Sequence, residues 1–237
     1  MSKRAAAEEA LRRISIRFGT ELASSTLAKP FVFGLGTGST IAEFCPLFNE
    51  YLCRISARGV VIIPTSHQSR ELVIQSQSTY PLVDPSQYPE VDCLVDGYDA
   101  ADLQTGTLIK GGGGAHVFEK LVALQSSHNI YIGTKDKTFR GLQHSHVSIP
   151  MEVIPQAVPV VMTELAKIQV STQLRLCKGG KIGPVVTDSG NLILDVNLAP
   201  DNSFWADLST LESTLSSLTG VVGTGLFISL AQEIIAV

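Results

Sequence analysis

Short apolar runs that end in turns rich in glycine, serine or aspartate constrain the fold of this chain more than any other feature. Four of these runs occupy residues 31–33, 59–63, 91–95 and 129–133. Their hydrophobicity is continuous rather than alternating, which is typical of strands that helices cover on both faces of a parallel sheet. Segments with helical spacing or capping residues lie between the runs, at residues 39–51, 68–77 and 116–127. The sequence therefore predicts an α/β fold with a doubly wound, Rossmann-like parallel sheet.

A second pattern begins after residue 142. Two helical segments, at 158–170 and 204–218, accompany β-rich runs that flank the turn sequence Asp-Ser-Gly-Asn at 188–191. Strands joined by such turns pair antiparallel, so a smaller α+β (ferredoxin-like) subdomain is expected. We expect the apolar segment from Leu226 onward to return to the first domain. The predicted bounds are residues 1–142 with 225–237 for the α/β domain and residues 143–224 for the subdomain.

Composition and charge argue against several classes of partner. A formal charge of −4 and an aromatic content of 6% disfavour a basic or base-stacking surface for nucleic acid. No apolar stretch reaches the roughly 20 residues that a membrane-spanning helix needs. The four cysteines lack the CxxC and CxxH spacings of zinc or redox sites, which indicates buried thiols in a reducing compartment. We therefore expect a cytoplasmic chain that has neither a nucleic acid nor a membrane as its partner.

The segment Gly34-Leu-Gly-Thr-Gly-Ser-Thr40 joins the first apolar run to a helix. It lacks the third glycine of a dinucleotide-binding fingerprint and the Gly-Lys-Ser/Thr ending of a P-loop. Exposed N–H groups, the helix dipole and the three hydroxyls would suit a phosphate monoester, although a tight turn alone would also explain the glycines. The candidate ligands in this loop are Thr37, Gly38, Ser39 and Thr40.

Several carboxylates follow the third apolar run, in the segment Asp96-Gly-Tyr-Asp-Ala-Ala-Asp102. Acids at the carboxyl end of a buried strand can bind a metal, bind sugar hydroxyls or transfer protons, and a solvated turn is the structural alternative. The spacing does not match a calcium loop. His144 and His146 share a strand face, but no third ligand is near them in the sequence, so no metal site is expected.

The segment Lys110-Gly-Gly-Gly-Gly-Ala115, followed by Glu119, is the most informative part of the chain. Consecutive glycines let a backbone approach a ligand closely, at a cost in chain entropy. Lys110 offers a cation for a developing oxyanion, and Glu119 offers a carboxylate for proton transfer from the next helix. A solvated charge on that helix is the alternative interpretation of Glu119.

These motifs, in this order, resemble those of ribose-5-phosphate isomerase of the A type. The matching segments are Gly34-Leu-Gly-Thr-Gly-Ser-Thr40, Asp96-Gly-x-Asp99, Lys110-Gly-Gly-Gly-Gly-Ala115 with Glu119-Lys120, Glu152-Val-Ile-Pro155, residues 184–195 and Gly220-Val-Val-Gly-Thr-Gly-Leu-Phe227. The resemblance covers nearly the whole chain. It implies interconversion of D-ribose 5-phosphate and D-ribulose 5-phosphate through an enediol, without a metal or another cofactor, in the non-oxidative pentose phosphate pathway.

The resemblance also implies roles for individual residues. Glu119 matches the general base that moves a proton between C2 and C1, and Lys110 matches a group that stabilises negative charge on the sugar oxygens. Asp96 and Asp99 match carboxylates that bind sugar hydroxyls and assist proton transfer. The implied substrate-binding positions are Thr37, Gly38, Ser39, Thr40, Asp96, Gly97, Tyr98, Asp99, Lys110, Gly111, Gly112, Gly113 and Lys137. The expected partners are a small phosphosugar and a second copy of the chain, in a homodimer or a dimer of dimers.

The chain departs from the family's usual residues in three segments. Tyr98 and Ala100 alter the aspartate motif, His116-Val-Phe118 stands where the family has Leu-Leu-Arg, and Thr134-Lys-Asp-Lys137 replaces Asp-x-Ser-Lys. The predicted base, the lysine and both aspartates are all present. A non-catalytic phosphosugar sensor would not need Lys110 and Glu119 together, and a coenzyme A transferase is normally longer. A different sugar-phosphate isomerase or deaminase lacks this set of motifs, so the pattern favours the ribose-phosphate isomerase.

Overall fold

The computed structural model describes residues 2–180 and 182–237, in which six α-helices are found. The helices are α1 (Lys3–Ser24), α2 (Ser39–Arg54), α3 (His67–Gln75), α4 (His116–Gln125), α5 (Val158–Lys167) and α6 (Leu208–Ser216). Met1 and Lys181, which fall within the predicted domain bounds, lie outside the described residues. None of the helices in the described ranges is long and apolar enough to cross a membrane.

Thirteen strands complete the fold of the described residues. They are β1 (Phe31–Leu35), β2 (Val60–Pro64), β3 (Cys93–Gly97), β4 (Ala100–Asp102), β5 (Leu108–Ile109), β6 (Asn129–Gly133), β7 (Thr138–Phe139), β8 (Ile149–Val153), β9 (Ser171–Leu174), β10 (Leu192–Asn197), β11 (Val221–Thr224), β12 (Leu226–Phe227) and β13 (Glu233–Ala236). Each of the four apolar runs identified in the sequence forms or overlaps one strand, namely β1, β2, β3 or β6.

The chain divides into two units, and the first unit contains the predicted parallel sheet. This unit comprises the residues up to Gly97, Phe118–Asp136 and Leu230–Val237. Its five strands lie in the order β13-β6-β3-β1-β2, and every neighbouring pair is parallel. One face of the sheet packs on α1 and α2, and Val122 of α4 packs against Gly34 and Leu94 on the other face. The doubly wound arrangement predicted from continuous apolar runs is therefore confirmed.

A stack of aromatic rings holds α2 against the sheet of the first unit. The ring centroids of Phe33 on β1 and Phe48 on α2 are 4.2 Å apart, and those of Phe44 and Phe48 are 5.4 Å apart. Buried aromatic pairs of this kind stabilise packing beyond the area that they bury. Because β1 leads directly into α2, this packing fixes the short loop between them at the carboxyl edge of the sheet.

The second unit, Tyr98–Val117 with Lys137–Ser229, contains two further sheets. Antiparallel strands form the sheet β11-β8-β10-β9. Leu165 of α5 and Leu211 of α6 belong to the same buried core as Met151 and Leu194 of this sheet. The smaller α+β arrangement expected from the sequence is confirmed. The other sheet has the order β12-β5-β4-β7 and is built from short strands.

The bounds of the two units differ from the domain bounds expected from the sequence. Residues 98–117 belong to the second unit because β4 and β5 pair with β7 and β12. The end of the chain is divided, since β12 pairs with β5 whereas β13 pairs in parallel with β6 of the first unit. The return of the C-terminal segment therefore begins at Leu230.

Candidate active site

The glycine loop after β1 lies directly against the carboxyl end of β3. A Cβ atom on Gly36 would lie 2.5 Å from the Cα of Asp96 and closer still to its Oδ1, so only glycine fits at this position. Gly38 caps α2 with a φ of 112°, which is a left-handed conformation that glycine adopts without strain. Glycine is therefore required at position 36 by the close approach of Asp96 and is favoured at position 38 by the backbone conformation.

The carboxylate of Asp96 is fully buried and is oriented by the backbone around it. Its Oδ1 accepts hydrogen bonds from the N–H of Thr37 at 3.0 Å and from the N–H of Gly97 at 2.7 Å. Burial of a carboxylate is unfavourable unless donors of this kind compensate for the lost water. The structure therefore brings three of the predicted residues, Thr37, Asp96 and Gly97, together in the first unit.

A cluster of hydroxyls extends this part of the first unit to the end of β2. The Oγ1 of Thr37 lies 3.0 Å from the Oγ1 of Thr65 and donates to the Oγ of Ser66 at 2.7 Å. The N–H of Gly38 donates to the Oε1 of Gln68 at 2.9 Å. Thr65, Ser66 and Gln68 are not among the residues predicted from the sequence. Their position after a parallel strand was the available signal, because the carboxyl ends of such strands lie at one edge.

The other two predicted residues of this loop occupy the start of α2. Ser39 is the first helical residue and is exposed, whereas Thr40 is buried. Helix N-termini carry N–H groups that lack acceptors within the helix, and they favour anions. Ser39 is thus placed where a ligand phosphate could reach its hydroxyl and the adjacent backbone.

Glu119 is a buried carboxylate in the first turn of α4, with 4% of its surface exposed. Tyr131 on β6 is the register partner of Asp96 on β3, and its side chain is fully buried. Burial, followed by the charges of Asp96 and Glu119, raises the pKa of the Tyr131 hydroxyl well above its ordinary value. The two predicted carboxylates of the first unit therefore both raise the pKa of Tyr131.

Lys110 in the second unit is also buried, with 2% of its surface exposed. Its N–H donates to the carbonyl of Gly225 at 2.9 Å, and its Nζ lies 5.5 Å from the centroid of the Phe227 ring. Gly225 has no room for a side chain, since a Cβ atom would overlap the Lys110 carbonyl and lie 2.7 Å from Cδ of Pro150. The segment around Gly225 therefore fixes the backbone of Lys110.

The run of glycines after Lys110 makes a turn that holds Asp99. Gly111 has a φ of 102°, and a Cβ atom on it would lie 2.7 Å from Nδ1 of His116. The N–H of Gly112 donates to the Oδ2 of Asp99 at 2.7 Å, whereas Gly112 and Gly113 are both exposed. The structure thus brings Asp99 and this loop together, with two glycines open to a ligand.

Arg175 contacts the same loop and was not predicted from the sequence. Its Nη1 donates to the carbonyls of Gly111 at 2.7 Å and Gly112 at 3.2 Å. Its Nε and Nη2 donate to the two carboxylate oxygens of Asp195 on β10. Arg175 is separated from the loop by more than sixty residues of sequence, so no local motif indicates the contact.

Lys137 and Tyr98 also meet within the second unit. The Nζ of Lys137 donates to the carbonyl oxygen of Tyr98 at 3.0 Å, and the Tyr98 side chain is buried. Among the described residues, no group of three or more His, Cys, Asp or Glu side chains is arranged to hold a metal ion.

A parallel sheet with a glycine loop and a buried carboxylate at the carboxyl ends of its strands is the architecture of an α/β enzyme that binds a small ligand. The sequence profile of ribose 5-phosphate isomerase A (phosphoriboisomerase A) matches residues 61–237. The chain therefore belongs to the ribose 5-phosphate isomerase A family, and it is an isomerase.

Individual relatives agree with this assignment. Ribose-5-phosphate isomerase of Sus scrofa is 39% identical over 205 residues, which cover 86% of this chain and 64% of the pig chain. Ribose-5-phosphate isomerase A of Methanococcus vannielii is 35% identical over 207 residues, which cover 86% of this chain and 82% of the archaeal one. The chain thus spans less than two thirds of the pig relative and about four fifths of the archaeal relative.

The same family is found among solved structures. A D-ribose-5-phosphate isomerase in complex with phospho-erythronic acid superposes with a TM-score of 0.83 and 33% sequence identity. The superposition covers 98% of this chain and 92% of that chain. The similarity therefore extends over both units.

Proposed function

We propose that this chain interconverts D-ribose 5-phosphate and D-ribulose 5-phosphate by moving a proton between C2 and C1 through an enediolate. The observation that carries the proposal is the buried carboxylate of Glu119, within a chain of this isomerase family. A solved relative binds phospho-erythronic acid, a phosphorylated sugar acid. The planar, anionic carboxylate of such an acid resembles an enediolate.

Glu119 is the general base in this proposal. A C–H proton next to a carbonyl is weakly acidic, so its removal needs a positioned base and immediate stabilisation of the negative charge that forms. The side chain of Glu119 is almost fully removed from water, which limits competing protonation by solvent. One carboxylate takes the proton from C2 and returns it to C1, because the two carbons are adjacent.

Lys110 stabilises the oxyanion that forms on the sugar. Its ammonium is buried, so its attraction for a negative oxygen is screened less than it would be in water. The exposed backbone of Gly112 and Gly113 adds N–H donors without side chains that would block a substrate. The reaction then needs no metal ion or other cofactor as electrophile.

The remaining predicted residues bind the substrate. Asp96 and Asp99 accept hydrogen bonds from sugar hydroxyls and relay protons between oxygens, and each is held in place by backbone N–H donors. The loop Thr37 to Thr40 binds the phosphate at the start of α2, where the helix dipole favours an anion. The other proposed substrate-binding positions are Gly97, Tyr98, Gly111 and Lys137.

We place this reaction in the non-oxidative pentose phosphate pathway, because its substrate and product are pentose 5-phosphates. The proposed location is the cytoplasm, and the proposed assembly is a homodimer or a dimer of dimers. The absence of CxxC and CxxH spacings supports a reducing compartment. Light scattering of the purified protein measures the oligomer directly.

The proposal is tested by converting ribose 5-phosphate with purified protein in the presence of EDTA. Wild-type protein is expected to turn over, and Glu119→Gln is expected to lose kcat by about 100-fold or more, since the amide is no base. Glu21→Gln changes an exposed glutamate of α1 and serves as the matched control, with wild-type kcat expected.

Three results would contradict the proposal. If folded wild-type protein does not convert ribose 5-phosphate, the proposed substrate is wrong. A Glu119→Gln variant that keeps more than about a tenth of kcat would remove the role of the base. Activity that EDTA abolishes and a divalent ion restores would replace the metal-free mechanism.

A further inference from the structure

Arg175 joins the glycine loop of the second unit to strand β10. Its guanidinium makes four hydrogen bonds: Nη1 donates to the carbonyls of Gly111 and Gly112, while Nε and Nη2 donate to the carboxylate of Asp195. The side chains of Arg175 and Asp195 are 18% and 20% exposed, so the pair is largely shielded from water. Paired bonds between a guanidinium and a carboxylate fix the plane of both groups.

These contacts set the direction of two peptide groups. In a trans peptide the C=O and the next N–H point in opposite directions, so a carbonyl turned toward Arg175 turns the following N–H away from it. The carbonyl of Gly111 is followed by the N–H of Gly112, which donates to the Oδ2 of Asp99 at 2.7 Å. The carbonyl of Gly112 is followed by the exposed N–H of Gly113.

We propose that Arg175, anchored by Asp195, is a positioning residue for the isomerisation. It orients the N–H groups of Gly112 and Gly113, and through Gly112 it orients the carboxylate of Asp99. The proposal rests on the proposed function, in which these groups bind the sugar and its oxyanion. Consecutive glycines have large conformational freedom, and a fixed guanidinium restricts that freedom in the free enzyme.

Lysine cannot replace arginine in this arrangement. One ammonium cannot bind both carboxylate oxygens of Asp195 and also reach the carbonyls of Gly111 and Gly112 in the fixed geometry of the guanidinium fork. Arg175→Lys retains the charge and loses the fork, and Asp195→Asn retains the shape and loses the anchoring charge. Both variants should therefore release the loop in the same way.

The test measures kcat, KM and amide hydrogen exchange in wild type, Arg175→Lys and Asp195→Asn. Both variants are expected to lose kcat by about 10- to 100-fold with KM changed less, because the catalytic geometry loosens. Exchange at the Gly112 amide, followed by NMR of protein labelled with ¹⁵N-glycine, is expected to accelerate in both. Arg12→Lys alters an exposed Arg–Glu pair on α1 and should leave all three quantities at wild-type values.

The outcomes distinguish failure of the positioning role of Arg175 from failure of the proposed isomerase function. Wild-type kcat in Arg175→Lys, or exchange at Gly112 unchanged in both variants, would overturn the positioning role. A general acceleration of exchange across all glycines would also overturn it, since that result indicates a merely structural role. If wild-type protein has no isomerase activity, the proposed function fails, whereas exchange at Gly112 still reports whether Arg175 orients the loop.

Discussion

At the scale of single residues, the loop after β1 can approach Asp96 only because Gly36 has no side chain. The buried carboxylate of Asp96 has two backbone donors only because the loop after β1 passes directly over it. Gly36 makes that passage possible, as a Cβ atom there would collide with both the backbone and the carboxylate of Asp96. Glycine at position 36 is therefore needed for the hydrogen bonds that Asp96 accepts from the backbone.

Gly36→Ala is expected to lower the free energy of unfolding by about 1 to 3 kcal/mol, because the loop must move away from Asp96. It should also reduce kcat/KM by about 100-fold, the effect of misplacing a binding loop by about 1 Å. Urea unfolding and the isomerase assay measure the two effects. Gly179→Ala is the control, since no described atom lies within 4 Å of a Cβ there. Equal behaviour of the two variants would contradict the close contact.

The raised pKa of Tyr131 is expected to make the stability of the protein depend on pH. Its pKa is raised in the folded state by burial and then by Asp96 and Glu119, so the unfolded chain loses the tyrosine proton first as pH rises. Stability from this group is present below about pH 10 and is lost above it, by up to about 1.4 kcal/mol per pH unit.

Urea unfolding of wild type and Tyr131→Phe at pH about 8 and about 11 tests this sign. The phenylalanine variant is expected to lose less stability between the two pH values, because it has no proton to release. Tyr51 and Tyr80 are unchanged in both proteins and cancel from the comparison. A larger loss in Tyr131→Phe than in wild type would show that the sign is wrong.

At the scale of elements, a buried carboxylate on β8 accepts hydrogen bonds from Thr187 and Asn191, which flank the turn of the second unit. Glu152 on β8 is 1% exposed, and its Oε1 accepts from the Oγ1 of Thr187 at 2.9 Å and from the Nδ2 of Asn191 at 2.7 Å. The N–H of Thr187 also donates to the carbonyl of Asn191 across the turn. The turn between Thr187 and Asn191 is therefore held by the side chain of Glu152 on β8.

Thr187→Val is expected to destabilise the protein by about 1 to 3 kcal/mol, since it removes a donor from a buried carboxylate and keeps the side-chain shape. The measurement is the free energy of unfolding in urea. Thr163→Val on the exposed face of α5 makes the same substitution at a threonine whose hydroxyl donates to the carbonyl of Pro159, and it is the matched control. A loss no greater than that of the control would contradict the role of Glu152.

The length of a strand decides whether it could be predicted from the sequence. Strands β1, β2, β3 and β6 form from continuous β-branched runs, so their place in a parallel sheet could be predicted. Strands β5, β7 and β12 have two residues each, too few to show a period, and they exist through tertiary pairing. These short strands move residues 98–117 into the second unit, which explains why the expected domain bounds differ from the observed units.

At the scale of the whole molecule, the predicted site residues lie in recognisable sequence motifs, whereas a residue that contacts one of their loops does not. Glu119, Lys110, Asp96 and Asp99 stand in glycine-rich or acidic segments that local chemistry explains. Arg175 has no motif of its own, because its contacts with the glycine loop are formed by the fold of the second unit. Local sequence therefore predicts the groups that we propose react, whereas the contacts of Arg175 require the structure.

The most direct test of the central claim follows the proton itself. In ²H₂O, ¹H NMR of ribose 5-phosphate with wild-type protein is expected to show deuterium entering C1 of the ketose and C2 of the aldose, as part of the abstracted proton exchanges with solvent. Glu119→Gln is expected to show neither at a measurable rate, while Glu21→Gln exchanges like wild type. Deuterium entering at the wild-type rate in Glu119→Gln would contradict the assignment of Glu119 as the base.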